Sequence, residues 1–301
     1  MSSDVWLFPG QGSQKIGMGH DLFEYDAATR ALFHEAADIA QKDIAALCFE
    51  GPPEVLQQTQ YAQPCLLTVS VAFARYLQQC GYYPSIVAGH SLGEYSALVT
   101  AGVLTFTDAM RIVLRRSELM AAAPAGAMAA IIGPTAEEIT RMCTEIQDLV
   151  WPANFNAPRQ TVISGTVSAV TQAMQRAREE LSARAIPLRV SGAFHSPLMK
   201  DTAVGLLPLL SAVSWCNPKI PIISTVDAKV HTRGEEFREL LQCQVVAPVR
   251  WTEAAAQISA LPPDRCFEVG PGTVLAGLMR QCQISCSLLS CGTLEECHQL
   301  V

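Results

Sequence analysis

Val87-Ala88-Gly89-His90-Ser91-Leu92-Gly93-Glu94 reads as the end of a strand, a tight turn and the start of a helix. The apolar run Ser85 to Ala88 leads in, and a helical pattern, Tyr95 to Val99, follows at once. G-x-S-x-G in that setting is a nucleophile elbow. A serine at the tip of a sharp turn must be approached closely by substrate, so glycine stands two residues to either side. The turn also aims the Leu92 N–H and a helix N-terminus at the place where an oxyanion would form. A second reading competes: Ser91-x-x-Glu94 matches a capping box, in which Ser91 only closes a helix end.

Composition limits what surrounds this turn. Of 301 residues, 50% are hydrophobic and 16% charged, the balance of a well-buried globular chain of one large domain or two smaller ones. The formal net charge is −7 with no long basic run, which argues against nucleic-acid binding. No window approaches a membrane span. The start, Met1-Ser2-Ser3-Asp4-Val5-Trp6, lacks a basic region or cleavage site and reads as a cytoplasmic chain entering a strand directly. Eleven scattered cysteines, an odd number mostly in apolar contexts, suit reduced, buried thiols. Cys282, Cys286, Cys291 and Cys297 with His298 contain no C-x-x-C pair, so no metal site is expected.

Read in order, Val5 to Phe8 is a short strand ending in the glycine-rich loop Pro9-Gly10-Gln11-Gly12-Ser13-Gln14. No Gly-Lys-Ser/Thr follows, so it is not a Walker loop. Residues 20–83 are mostly helical, most clearly Ala27 to Lys42 and Leu66 to Gln79. After the elbow, a helix from Thr107 or Asp108 to Met120 carries Arg111, Arg115 and Arg116. Arg116 lies among Leu114, Leu119 and Met120, where an arginine can turn inward.

The pattern changes between 122 and 191. Strands at Met128–Gly133, Leu149–Phe155, Gln160–Gly165 and Ile186–Ser191 alternate with helices at Thr135–Ile146 and Ser168–Ala185. That order, β-α-β-β-α-β, is ferredoxin-like. It predicts a small subdomain, 123–195, inserted into a larger α/β-hydrolase-like domain formed by 1–122 and 196–301. Ser196-Pro197 is an N-cap followed by Pro at the first helical position. His195 therefore sits at a strand-to-helix junction where the chain returns to the large domain, and it is the best candidate general base for Ser91. Beyond it, strands at Ile220–Ser224, Arg265–Val269 and Ile284–Leu289 alternate with helices at Gly234–Leu241, Trp251–Leu261 and Thr273–Cys282. A mostly parallel, covered sheet is the expected result.

Together these residues resemble the malonyl-CoA:acyl carrier protein transacylases of fatty-acid and polyketide synthesis. The resemblance spans the chain. It rests on Phe8-Pro9-Gly10-Gln11-Gly12-Ser13-Gln14, Gly89-His90-Ser91-Leu92-Gly93-Glu94, Arg115-Arg116-Ser117, Asn154-Phe155-Asn156 and Gly192-Ala193-Phe194-His195-Ser196. Gln244 ahead of Pro248-Val249-Arg250-Trp251, and Glu268-Val269-Gly270-Pro271-Gly272, complete it. The resemblance implies Ser91 as nucleophile and His195 as its base. It implies an oxyanion hole from the backbone N–H groups of Gln11 and Leu92, and a histidine oriented by the backbone carbonyl of Gln244. Arg116 would bind the malonyl carboxylate, with His90, Phe194, Met120, Gln63 and Asn156 around the substrate. Phe194 before His195 resembles malonyl-selecting members of the family. No carboxylate stands out between Ser91 and His195 in sequence, so a dyad is expected in place of a triad.

The implied partners are malonyl-CoA, as substrate, and an acyl carrier protein with its phosphopantetheine arm. No cofactor, metal, nucleic acid or membrane is expected, and the family implies a monomer. Lys200, Arg250 and Arg280 are candidate members of a carrier-docking patch. Three other readings compete. A proofreading acyl-carrier-protein hydrolase of the same fold would lack the substrate arginine. A serine esterase of the α/β-hydrolase kind would lack the inserted subdomain. A non-catalytic carrier-docking module would have no use for Ser91, His195 and Arg116 together.

Overall fold

Val5-Trp6-Leu7-Phe8 is apolar at every position because both of its faces are covered. The computed structural model describes residues 3–300; Met1 and Ser2, where the N-terminal reading begins, and Val301 lie outside the described residues. Its strands are β1 (Asp4–Phe8), β2 (Ile86–Gly89), β3 (Ala127–Ile132), β4 (Val150–Ala157), β5 (Gln160–Gly165), β6 (Arg184–Pro187), β7 (Ile222–Ile223), β8 (Val230–His231), β9 (Arg265–Val269) and β10 (Ser287–Cys291). They form two sheets.

The larger sheet runs β10-β9-β1-β2-β7-β8, parallel throughout except that β8 pairs antiparallel with β7. Trp6 and Phe8 point into a core with Phe73, Leu98, Ile112 and Phe267 on one face. Val5 and Leu7 join Trp251, Ile258, Leu275 and Met279 on the other. The strand's period of two thus feeds two separate cores. The Thr59–Gln79 helix, almost wholly buried, covers the first face.

The smaller sheet runs β4-β5-β3-β6, all antiparallel, with the helices Ala136–Glu145 and Val167–Leu181 on one face. This is the order expected of a ferredoxin-like unit. Its other face, with Met128, Ala130 and Val162, joins the main core. β4 is pinned to the larger domain through main-chain bonds: Phe155 N–H donates to Val249 O at 2.9 Å, and Val249 N–H donates to Ala153 O at 2.8 Å.

Several boundaries differ from expectation, each for a local reason. The helix expected over Ser168–Ala185 stops at Leu181, because Ser182 turns left-handed at φ 50° and its N–H bonds Ala177 O. The last small-sheet strand therefore falls at Arg184–Pro187 rather than Ile186–Ser191, and Leu188 to Ser191 are left as loop. Gln283 at φ 58° delays the closing strand from Ile284 to Ser287. The strand expected at Ile220–Ser224 shrinks to Ile222–Ile223, and the short antiparallel β8 that follows had no signal in the sequence. Ser196 does cap, accepting from Leu198 N–H at 3.3 Å. It opens a 3₁₀ turn, Pro197–Met199, which leads into the Lys200–Ala212 helix.

Candidate active site

β1 and β2 lie side by side with Phe8 opposite Gly89, so the loop after β1 and the turn after β2 leave the sheet together. This is the carboxyl edge of the parallel strands, where α/β folds place their sites. The two turns touch so closely that side chains are excluded. A Cβ on Gly93 would meet Phe8 O at 2.0 Å, one on Gly89 would meet Gly93 C at 2.0 Å, and one on Gly10 would meet His90 O at 2.4 Å. The glycines of both motifs are thus required by backbone packing.

Ser91 sits at φ 52° and His195 at φ 57°, both left-handed and both unusual for residues with a Cβ. Such strain of order 1–3 kcal/mol per residue is held only where the surroundings dictate it. Ser91 does not cap the following helix. Its Oγ lies 2.8 Å from His195 Nε2 instead. The capping-box reading therefore fails, and Glu94 accepts from Gln244 Nε2–H at 2.8 Å and from Thr225 Oγ–H at 3.3 Å.

His195 Nδ1 faces two main-chain carbonyls, Gln244 O at 2.9 Å and Ala247 O at 3.1 Å. That pair of acceptors holds the proton on Nδ1 and leaves Nε2 as an acceptor for the Ser91 hydroxyl. Gln244 was legible from the resemblance; Ala247 was not, because a backbone acceptor leaves no side-chain signature. Among the described residues, no carboxylate bonds the imidazole. Burial, then the nearby Arg116 charge, lowers the His195 pKa to about 3. The imidazole is therefore neutral and able to accept a proton.

Arg116 is the largest buried charge at the site. It extends from the Phe106–Ala122 helix, which is capped by Thr105, and is 1% exposed. It donates from Nη1 to Gln63 Oε1 at 2.6 Å, and from Nη2 to Ser91 Oγ at 3.0 Å and Gln244 Oε1 at 3.1 Å. Every one of these acceptors is neutral. Among the described residues its Nε has no hydrogen-bond partner, and the guanidinium lies over the Tyr95 ring at 5.6 Å. Burial lowers its pKa from the usual arginine value. A guanidinium with five donors, desolvated and without an anion beside it, is a receptor for one.

An inner cleft of about 90 Å³ is lined by Gln11, His90, Ser91, Leu92, Arg116, Met120, Phe194 and His195, with Met128, Asn154, Leu188 and Val190 closing the small-sheet side. Among the described residues, neither the Gln11 nor the Leu92 amide donates to a protein acceptor. A wider space of about 430 Å³, sharing Gln11, Val190 and Phe194, opens outward past Gln57, Gln58, Thr59, Gln60 and Arg189. Two residues expected around substrate stand one layer back. Gln63 lies behind Arg116, donating to Thr59 Oγ at 2.6 Å and toward Met120 Sδ at 3.4 Å. Asn156 binds His90 Nε2 through Oδ1 at 2.9 Å, while its neighbour Asn154 lines the cleft. Regular alternation would put residues 154 and 156 on one face; the register shift between Phe155 and Ala157 breaks it and separates the two side chains. Leu188 and Val190 line the inner cleft and Arg189 the outer space, all from the loop where a strand was expected. The Glu268 motif has a structural use: its carboxylate accepts from the amides of Leu275 and Ala276 at 2.9 and 2.7 Å, closing the Val274–Gln281 helix.

A serine–histidine pair on an elbow, two free amides beside it and a buried cation facing it form an arrangement able to carry acyl transfer through a serine. The chain belongs to the acyl transferase domain family, whose pattern matches residues 5–289. It is 46% identical over 287 residues to the malonyl CoA-acyl carrier protein transacylase of Bacillus subtilis strain 168, covering 93% of this chain and 90% of that one. It is 42% identical to the enzyme of the same name from Escherichia coli K12, with 93% of each chain covered. Among solved structures, the malonyl-CoA:acyl carrier protein transacylase of Xanthomonas oryzae pv. oryzae superposes with TM-score 0.96 at 39% identity, over 100% of this chain and 98% of that one. A malonyl-transacylase in complex with its type II polyketide acyl carrier protein superposes with TM-score 0.95 at 40% identity, over 99% and 98%.

Proposed function

We propose that this acyltransferase moves malonyl from CoA to the phosphopantetheine thiol of an acyl carrier protein through a malonyl-Ser91 ester. His195 Nε2 takes the Ser91 proton as Oγ attacks the thioester carbonyl. The amides of Gln11 and Leu92 receive the oxyanion; losing one such donor typically costs about 3 kcal/mol in the transition state. The carbon–sulfur bond breaks, and the leaving CoA thiolate takes the proton held on His195. In the second half the carrier thiol gives its proton to His195 and its sulfur attacks the ester. Ser91 then leaves as an alkoxide and recovers that proton. The cycle is ping-pong.

The observation that carries this reading is Arg116, buried, surrounded by neutral acceptors and 3.0 Å from the nucleophile. A malonyl carboxylate fits the guanidinium fork bidentately, and a neutral acetyl group leaves the charge unpaired. The same carboxylate would draw the guanidinium from Ser91 Oγ and offset the Arg116 charge that, after burial, lowers the His195 pKa. Substrate thus strengthens its own base. Phe194, buried at the cleft wall, narrows the space for a branched acyl group, a discrimination of about 1–3 kcal/mol.

Ser91, His195 and Arg116 meet within a single chain, so the proposed chemistry needs no residue from a second copy. The reading includes the division into 1–122 with 196–301 and an inserted lobe 123–195, supported by the antiparallel sheet spanning Ala127 to Pro187. The chemistry serves fatty-acid and polyketide assembly alike.

Intact-mass measurement after brief exposure to malonyl-CoA or acetyl-CoA tests the proposal. A malonyl adduct on the wild type, absent from Ser91→Ala and discharged by added holo-carrier protein, is the expected result. Loading of acetyl in preference, or loss of the adduct to water as fast as to carrier, would favour the hydrolase reading and overturn this one.

A further inference from the structure

Glu94 is a carboxyl group that the proposed chemistry does not use. It lies behind the elbow with no exposed surface, on the first turn of the Gly93–Thr100 helix. Such a group is costly to bury unless something nearby makes use of it. Its Oε2 accepts from the Gln244 side-chain amide at 2.8 Å. The other end of that amide faces the substrate cleft: Gln244 Oε1 accepts from Arg116 Nη2 at 3.1 Å. A third bond, Gln244 Nε2–H to Ser91 O at 3.1 Å, ties the same amide to the main chain of the nucleophile.

The orientation of the amide is set by its neighbours. Turned over, Gln244 would present an N–H to the guanidinium, donor against donor, and its oxygen to a carboxylate, acceptor against acceptor. In the orientation seen, the amide points its oxygen at the guanidinium and its N–H at the Glu94 carboxyl. Gln63 Oε1 holds Nη1 of the same guanidinium from the opposite side. Arg116 is thereby aimed at Ser91 Oγ without a carboxylate touching it, and the fork stays open for an incoming anion. A direct Glu–Arg pair would close that fork, and an apolar residue at 94 would leave the amide N–H held by Ser91 O alone.

Resting on the malonyl-transfer reading above, we propose that Glu94, acting through the Gln244 side chain, is the positioning group that holds the Arg116 guanidinium for the malonyl carboxylate. Gln244 then has two separate duties. Its main-chain carbonyl orients His195, and its side chain links Glu94 to Arg116.

The test is a pair of variants that keep the Gln244 carbonyl: Glu94→Gln, which keeps shape and removes charge, and Gln244→Met, which removes both side-chain bonds. The kcat and KM for malonyl-CoA and for acetyl-CoA are measured beside wild type, with holo-carrier protein as acceptor and thermal melts as a check on folding. Each variant is expected to lose at least tenfold in the ratio of malonyl to acetyl kcat/KM, chiefly through a higher KM for malonyl-CoA. An unchanged or increased ratio would overturn the proposal, whether the two rates hold or fall together. Failure of both variants to fold would do the same, by assigning the network to stability alone. A wild type that does not load malonyl defeats the underlying reading instead, and that result is visible before either variant is made.

Discussion

His195 shows how one side chain is set by its surroundings. The same imidazole in solution would be half-protonated near pH 6.5. Buried beside Arg116, it holds its proton only near pH 3. The unfolded chain therefore binds a proton that the folded chain refuses between those values. Stability from this group is fully present above pH 6.5 and is lost as pH falls toward 3. At pH 5 the loss is about 2 kcal/mol. Urea midpoints at pH 7 and pH 5 should fall further apart for wild type than for His195→Asn, and equal differences would contradict the burial argument. His90, whose pKa is also lowered by burial, adds to the slope in both proteins. The residue types at positions 91, 116 and 195 were readable without coordinates. Their coupling was not, because it depends on a guanidinium lying 3.0 Å from a hydroxyl 25 residues away.

At the scale of elements, the elbow is the decisive junction. Gly93 begins a helix directly beneath β1, and a methyl group there would overlap Phe8 O. Gly93→Ala must push β1 and β2 apart or abandon the turn. A cost of about 3 kcal/mol or more is expected from displaced backbone in a packed core. Denaturant unfolding should show that loss together with absence of the acyl adduct; a variant as stable as wild type would mean the turn can shift. Helices and central strands were legible because their apolar periods match single faces or full burial. The ends were less so. Ser182 and Gln283, neither of them glycine, stop their elements by adopting left-handed backbone, which composition does not signal. β8 escaped because two residues carry no period.

Across the whole molecule, the cleft is formed where the face of the small sheet carrying Met128 meets the carboxyl edge of the large one. Its outer part carries a single charged lining residue, Arg189, which is exposed. Of Lys200, Arg250 and Arg280, Arg250 is engaged by Glu253 and by the Asp227 carbonyl, so it is poorly placed to meet a partner. In a chain of net charge −7, a carrier protein that docks through negative charge needs a local positive potential. Arg189→Glu is expected to raise the KM for carrier protein at least threefold, with the effect shrinking as salt rises. A KM unaffected at low ionic strength would place docking elsewhere.

Local physics was enough to specify the α/β class, the inserted β-α-β-β-α-β unit and the nucleophile turn. Periodicity, glycine spacing and capping residues act within a few positions of one another and need no partner. The site's working state is a long-range matter. Main-chain carbonyls of Gln244 and Ala247 meet His195 across about fifty residues of sequence. A buried amide joins Glu94 to Arg116, and bulges in β4 turn Asn154 rather than Asn156 into the cleft. Backbone acceptors, amide orientation and burial arise only when distant segments pack, so they appear with the fold and not before it.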